Sequence, residues 1–120
     1  YRHAIGAVTL EVPRGFVESG EPDAASAMRE LEEEAGLAVA PEDLQSAGFM
    51  TPEGSLLAAR VHLFFAHQCR RVRSYAPEEL GHRGLEWFTP AQALAMAAAS
   101  EIQDPSTLLL VYRYALETSR

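Results

Sequence analysis

The sequence predicts an α/β layered domain. Strand-like apolar runs at 4–12, 44–50 and 59–67 are interleaved with three helical stretches, and mixing of that kind calls for helices packed on a sheet. A glycine turn followed by a densely charged helix separates the first two strands, which places a polar feature beside the expected sheet. At 120 residues the chain is expected to be one domain, spanning 1–120, with one core. It opens at Tyr1, already inside strand-like residues, so an N-terminal segment is expected to precede it.

The first strand, Ala4–Val12, is rich in β-branched and aliphatic residues and ends at Pro13-Arg14-Gly15. The turn Ser19-Gly20-Glu21-Pro22-Asp23 leads into a helix that Asp23 or a neighbour is placed to cap, with Gly36 at the position of a left-handed C-terminal residue. Pro41-Glu42-Asp43 reads as a loop, Leu44–Met50 as a strand and Thr51-Pro52-Glu53-Gly54 as a turn. Ala59–His67 has the most pronounced buried-strand character. Residues 70–84 read as an exposed loop, Leu85–Phe88 as a short strand with Trp87 and Phe88 in the core, and Thr89-Pro90 as the start of a helix to Ala99. A last helix is expected over Pro105–Glu117.

Apolar and charged fractions of 48% and 22% are those of an ordinary globular protein. A formal charge of -7 argues against broad binding to nucleic acid. A small phosphate-bearing substrate remains compatible with it, since a bound metal reverses the local sign. No apolar run is long enough for a membrane span and no signal-peptide pattern is present. The single Cys69 fits a reducing compartment, so a cytoplasmic location is expected, and Cys69 itself reads as a bystander. His62 and His67 read as packed or edge residues of a strand, whereas His82, between glycines, is a candidate to touch a substrate.

The chemistry concentrates in Arg29-Glu30-Leu31-Glu32-Glu33-Glu34. On a helix, residues three and four apart are neighbours, so Glu30 lies beside Glu33 and Glu34, while Ala27, Met28, Leu31 and Ala35 can pack inward. Like charges at this spacing repel unless a cation neutralises them. Mg2+ or Mn2+ suits the task, because both prefer carboxylate oxygen, carbonyl oxygen, water and substrate phosphate. Arg29 can pair with Glu33 one turn on. Taken alone, such a run is commonly a solvated helix face.

The surroundings change that weighting. Gly15, Glu21, Arg29, Glu30, Leu31, Glu33, Glu34, Gly36 and Leu37 match Gly-x5-Glu-x7-Arg-Glu-(aliphatic)-x-Glu-Glu-x-Gly-(aliphatic) at every specified position. At ordinary residue frequencies a chance match is on the order of one in a million. The segment resembles the Nudix box, and the chain resembles a Nudix hydrolase. The resemblance implies an α/β/α sandwich with a mixed β-sheet, the box forming a loop-helix-loop. It implies that Glu30, Glu33, Glu34 and the backbone carbonyl of Arg14 hold the divalent ions, and that Glu21 and Arg29 support the loop and orient the carboxylates. Gly15 would allow close backbone approach. The general base is expected from the box helix or from Glu78, Glu79 or Glu86, with Glu79 preferred; surface charge is the competing reading for each.

The flanks resemble the ADP-ribose pyrophosphatase branch: Tyr1-Arg2-His3-Ala4, Leu10-Glu11-Val12-Pro13-Arg14-Gly15, and Pro52 fifteen residues beyond Leu37. By that resemblance Arg2 contacts the substrate diphosphate, and Phe49-Met50-Thr51-Pro52 lines the nucleoside or ribose end. Pro52 as a plain turn residue is the alternative. Pro13-Arg14-Gly15 stands where 8-oxo-dGTP hydrolases carry Pro-Gly-Gly. The expected reaction is cleavage of ADP-ribose or a related NDP-sugar to a nucleoside monophosphate and a sugar phosphate. Dinucleoside polyphosphate or oxidised-nucleotide hydrolysis, and a non-catalytic metabolite-binding module, are the alternatives. The resemblance also implies a homodimer.

Overall fold

The computed structural model describes residues 6–14, 19–74 and 84–119. In chain order they form α1 (Asp23–Ala35), β1 (Leu37–Ala38), a single 3-10 turn (Pro41–Asp43), β2 (Leu44–Met50), β3 (Val61–Ala66), β4 (Arg70–Arg71), α2 (Pro90–Ala98) and α3 (Pro105–Thr118). β1 and β4 pair antiparallel, Leu37 opposite Arg71 and Ala38 opposite Arg70, and β2 pairs with β3. Among the described residues the sheet is thus two small two-stranded pieces. The chain divides into two compact units. One, the carboxylate unit, comprises Pro13–Ser46 and Phe64–Leu85; the other, the helical unit, comprises Tyr1–Val12, Ala47–Leu63 and Glu86–Arg120.

In the carboxylate unit α1 is built almost entirely of Ala, Met, Leu, Glu and Arg, the strongest helix formers. Its N-cap is Pro22, whose carbonyl accepts the Ser26 N–H at 3.0 Å, and no side chain caps this end. Asp23 sits inside the first turn instead of at the cap, where its charge still complements the helix dipole. Ser26 and Ala35 are buried, and Ala27, Met28 and Leu31 are half-buried.

The helix ends at Gly36, at φ 68° and ψ 26°, with its N–H on the Glu32 carbonyl at 2.9 Å. The Gly36 carbonyl accepts the Val72 N–H at 2.9 Å, so the helix end and the strand pair are joined. A Cβ at position 36 would lie 2.5 Å from the Arg73 carbonyl oxygen. Backbone conformation and space therefore both require glycine. Gly36→Ala is expected to cost about 2 kcal/mol, the sum of a left-handed alanine and an overpacked contact. Chemical denaturation checks this, read as a lower midpoint at unchanged slope.

In the helical unit Thr89 and Gln92 form a reciprocal capping box at the start of α2: Gln92 N–H donates to Thr89 Oγ1 at 3.1 Å, and Thr89 N–H to Gln92 Oε1 at 2.9 Å. The side chain of Asp104 caps α3 by accepting the Thr107 N–H at 3.0 Å. Helices α2 and α3 pack together, and Leu63, Ala97 and Ile102 are buried in this unit. Arg113 of α3 donates to the Ala47 carbonyl.

Several expectations are corrected. The described part of the 4–12 run is not a strand: Gly6 has φ 63°, Ala7 forms an isolated bridge, and the Val12 N–H donates to Thr107 Oγ1 at 3.0 Å instead of to a neighbouring strand. Residues 85–88 are likewise irregular, and Trp87 and Phe88 are 63% and 39% exposed, not core. Arg70–Arg71, within the expected loop, forms β4. Among the described residues no helix is long and apolar enough to cross a membrane.

Candidate functional site

One guanidinium organises the charged helix. Arg29 lies in the middle of α1 and turns its side chain back to Glu21, before the helix starts. Nε donates to Glu21 Oε2 at 3.0 Å and Nη2 to Glu21 Oε1 at 3.1 Å, a bidentate fork. Its remaining terminal nitrogen, Nη1, donates to Glu30 Oε1 at 3.0 Å and Glu33 Oε2 at 3.1 Å. The Glu33 bond is the expected pairing one turn on. The three carboxylates differ in cover: Glu30 and Glu21 are 13% and 16% exposed, Glu33 is 40% exposed, and Arg29 is 26% exposed. An ion-pair network this covered is held more firmly than an open surface pair.

Glu34 is fixed from another direction. The backbone N–H of Arg14 donates to its Oε2 at 2.9 Å. Arg14 and Glu34, two residues expected at the metal, are thus side by side although they stand 20 positions apart in the chain. Glu32, which the sequence pattern leaves unspecified, is exposed, while Glu30, Glu33 and Glu34 are half-buried.

This donor set fits a hard divalent ion chemically, since carboxylates converge on one guanidinium with negative charge in excess. The geometry is not a closed cage: among the described residues no three His, Cys, Asp or Glu side chains are grouped as ion ligands. Glu30 and Glu33 each turn an oxygen to Arg29, and Glu34 turns one to the Arg14 N–H.

The remaining expected site residues fall in the helical unit or outside the described residues. Met50 and Pro52 belong to the helical unit, both half-buried, with the Met50 sulfur accepting from Ser106 Oγ at 3.7 Å. Beside them Phe49 stacks on His62 at 4.1 Å between centroids and carries Arg60 over its ring at 4.0 Å. Glu86 is exposed in the same unit. Arg2, Gly15, Glu78, Glu79 and His82 lie outside the described residues. His67 bonds Gln45 at 2.9 Å at a strand end. Burial, and secondarily Asp43, pushes the Cys69 thiol up from its ordinary value, which favours the unreactive protonated form.

One functional candidate escaped the sequence reading. Arg73 donates Nη2 and Nε to the Glu32 carbonyl at 2.7 and 3.2 Å, at the C-terminal end of α1. No spacing rule links a side chain to a carbonyl 41 residues away. The only hint is that Arg70-Arg71-Val72-Arg73 is a basic run in an acidic chain.

Comparison with known families gives a match to the NUDIX domain over residues 2–110. Comparison with curated proteins gives no match.

Proposed function

The chain belongs to the Nudix family, and from that premise we propose that it is a Mg2+-dependent hydrolase of ADP-ribose or a closely related NDP-sugar. The family acts generally on diphosphate-linked nucleoside derivatives, and it uses divalent metal ions. The observation that carries the proposal for this chain is the Arg29 network, which aligns Glu21, Glu30 and Glu33 around one cation.

Glu30, Glu33, Glu34 and the Arg14 carbonyl would hold Mg2+, or Mn2+ in its place. When bound, such an ion neutralises charge on the diphosphate and makes water a better nucleophile. The protein groups have separate tasks. Glu21 fixes Arg29 through its fork, and Arg29 in turn limits the directions open to Glu30 and Glu33. The Arg14 N–H restrains Glu34. A carboxylate takes the proton of the attacking water, and Glu79 is assigned that role on family resemblance. Water adds to one phosphorus, the bridging P–O bond breaks, and the bridging oxygen leaves with the other phosphate. AMP and ribose 5-phosphate result from ADP-ribose. Arg2 is assigned to the diphosphate and Met50 and Pro52 to the nucleoside end, again on resemblance, as is a homodimer.

A panel of ADP-ribose, other NDP-sugars, a dinucleoside tetraphosphate and 8-oxo-dGTP, incubated with Mg2+ and resolved by chromatography, tests the assignment. ADP-ribose is expected to give the highest kcat/KM. Preference for the tetraphosphate would remove the ADP-ribose assignment and leave the reaction class intact. No turnover of any member would replace the enzyme with a metabolite-binding module.

A further inference from the structure

We propose that Arg73 is a positioning residue for the carboxylates of α1, a role that rests on the metal-dependent reading above. The last turn of α1 carries Glu32, Glu33 and Glu34, and has no basic residue of its own. This is the end of a helix where the backbone dipole is negative, so three carboxylates there oppose the dipole, and Glu33 and Glu34 also lie one turn from Glu30. A helix end so loaded tends to fray, and Glu33 and Glu34 would move with it.

Arg73 supplies the missing positive charge from a distant segment. Its guanidinium grips the Glu32 carbonyl through two nitrogens, at 2.7 and 3.2 Å, and that carbonyl also accepts the Gly36 N–H at 2.9 Å. The main chain of Arg73 docks on the same turn. Its N–H reaches the Gly36 carbonyl at 3.4 Å, and its own carbonyl occupies the space that a side chain at position 36 would need. The β1–β4 pairing immediately before it, Leu37 opposite Arg71, sets the register that delivers Arg73 to this point. Side chain and backbone therefore clamp residues 32–36 together, one peptide bond from Glu33. This gives the terminal box glycine a second purpose besides ending the helix: it admits the clamp.

The test uses the full chain with Arg73→Met, which keeps an apolar stem and removes the charge, and Arg73→Lys, which restores a charge without the fork. Mn2+ affinity is read by electron paramagnetic resonance of the free ion, and Gly36 amide exchange by NMR. Arg73→Met is expected to weaken Mn2+ binding about 10-fold, the usual effect of losing a residue that orients metal ligands. Faster exchange at Gly36 should accompany it, and Arg73→Lys should recover most of the Mn2+ affinity through charge at the helix end. Unchanged Mn2+ affinity in a folded Arg73→Met chain would overturn the proposal, even with faster exchange, because the clamp would then be structural alone. Should Arg73→Met fail to fold, Arg73→Gln, which also removes the charge, takes its place: a comparable loss of Mn2+ affinity would support the proposal, and wild-type affinity with faster Gly36 exchange would overturn it. An unmodified chain that binds no Mn2+ would overturn the metal reading itself, and this role with it.

Discussion

Glu33→Gln and Glu34→Gln are each expected to lower kcat/KM by about 100- to 1,000-fold at saturating Mg2+, with melting temperatures close to that of the parent. The magnitude is that of removing one preorganised charge from a site that stabilises developing charge. The fold should survive because glutamine is nearly isosteric with glutamate. At position 34 the amide oxygen can still accept the Arg14 N–H that Glu34 Oε2 takes at 2.9 Å. At position 33 the side chain is 40% exposed, so an unused amide hydrogen can reach water. Steady-state kinetics beside thermal melts separate the two effects. Near-normal activity in both variants would remove these glutamates from the metal site.

Arg29→Ala is the second large effect, and it should appear in stability as well as rate. Deleting the guanidinium takes from Glu21 and Glu30, 16% and 13% exposed, the charged hydrogen bonds that Arg29 gives them, where access to water is limited. Breaking a largely covered ion pair from one side strands the other charge, and about 3 kcal/mol is expected here. For a domain of this size that corresponds to a melting temperature lower by roughly 10 °C. Arg29→Lys should recover only part of the loss, since an ammonium group cannot reproduce the fork on Glu21 while reaching Glu30 and Glu33. A melting temperature within 2 °C of the parent for Arg29→Ala, on the order of half a kcal/mol or less, would show that the network is too solvated to matter.

What could be read in the sequence was local. The carboxylate helix follows from neighbours three and four residues apart, and its end from a glycine that takes φ 68°. The start of α2 at Thr89-Pro90 is likewise set within one turn, by a proline at a favoured first position. What could not be read depends on partners distant in the chain. The 4–12 run has strand composition, but Val12 finds Thr107 of α3 and not another strand. The β1–β4 pair is two residues on each side, too short for any periodicity to register. Trp87 looks like core by type, yet it lies outside the packed helices at 63% exposure. Arg73 was invisible because its target is a backbone oxygen, which carries no residue signature.

Diphosphate cleavage at the carboxylates of α1 should depend on a divalent ion. A Mg2+ titration of the hydrolysis rate tests it most directly, run on the parent chain and on Glu34→Gln with the best substrate of the panel. No rate above background is expected in EDTA, with saturating activation of the parent by Mg2+ and a Glu34→Gln curve shifted to higher Mg2+ with a much lower plateau. Hydrolysis that persists in EDTA, or superimposable curves for the two proteins, would contradict it.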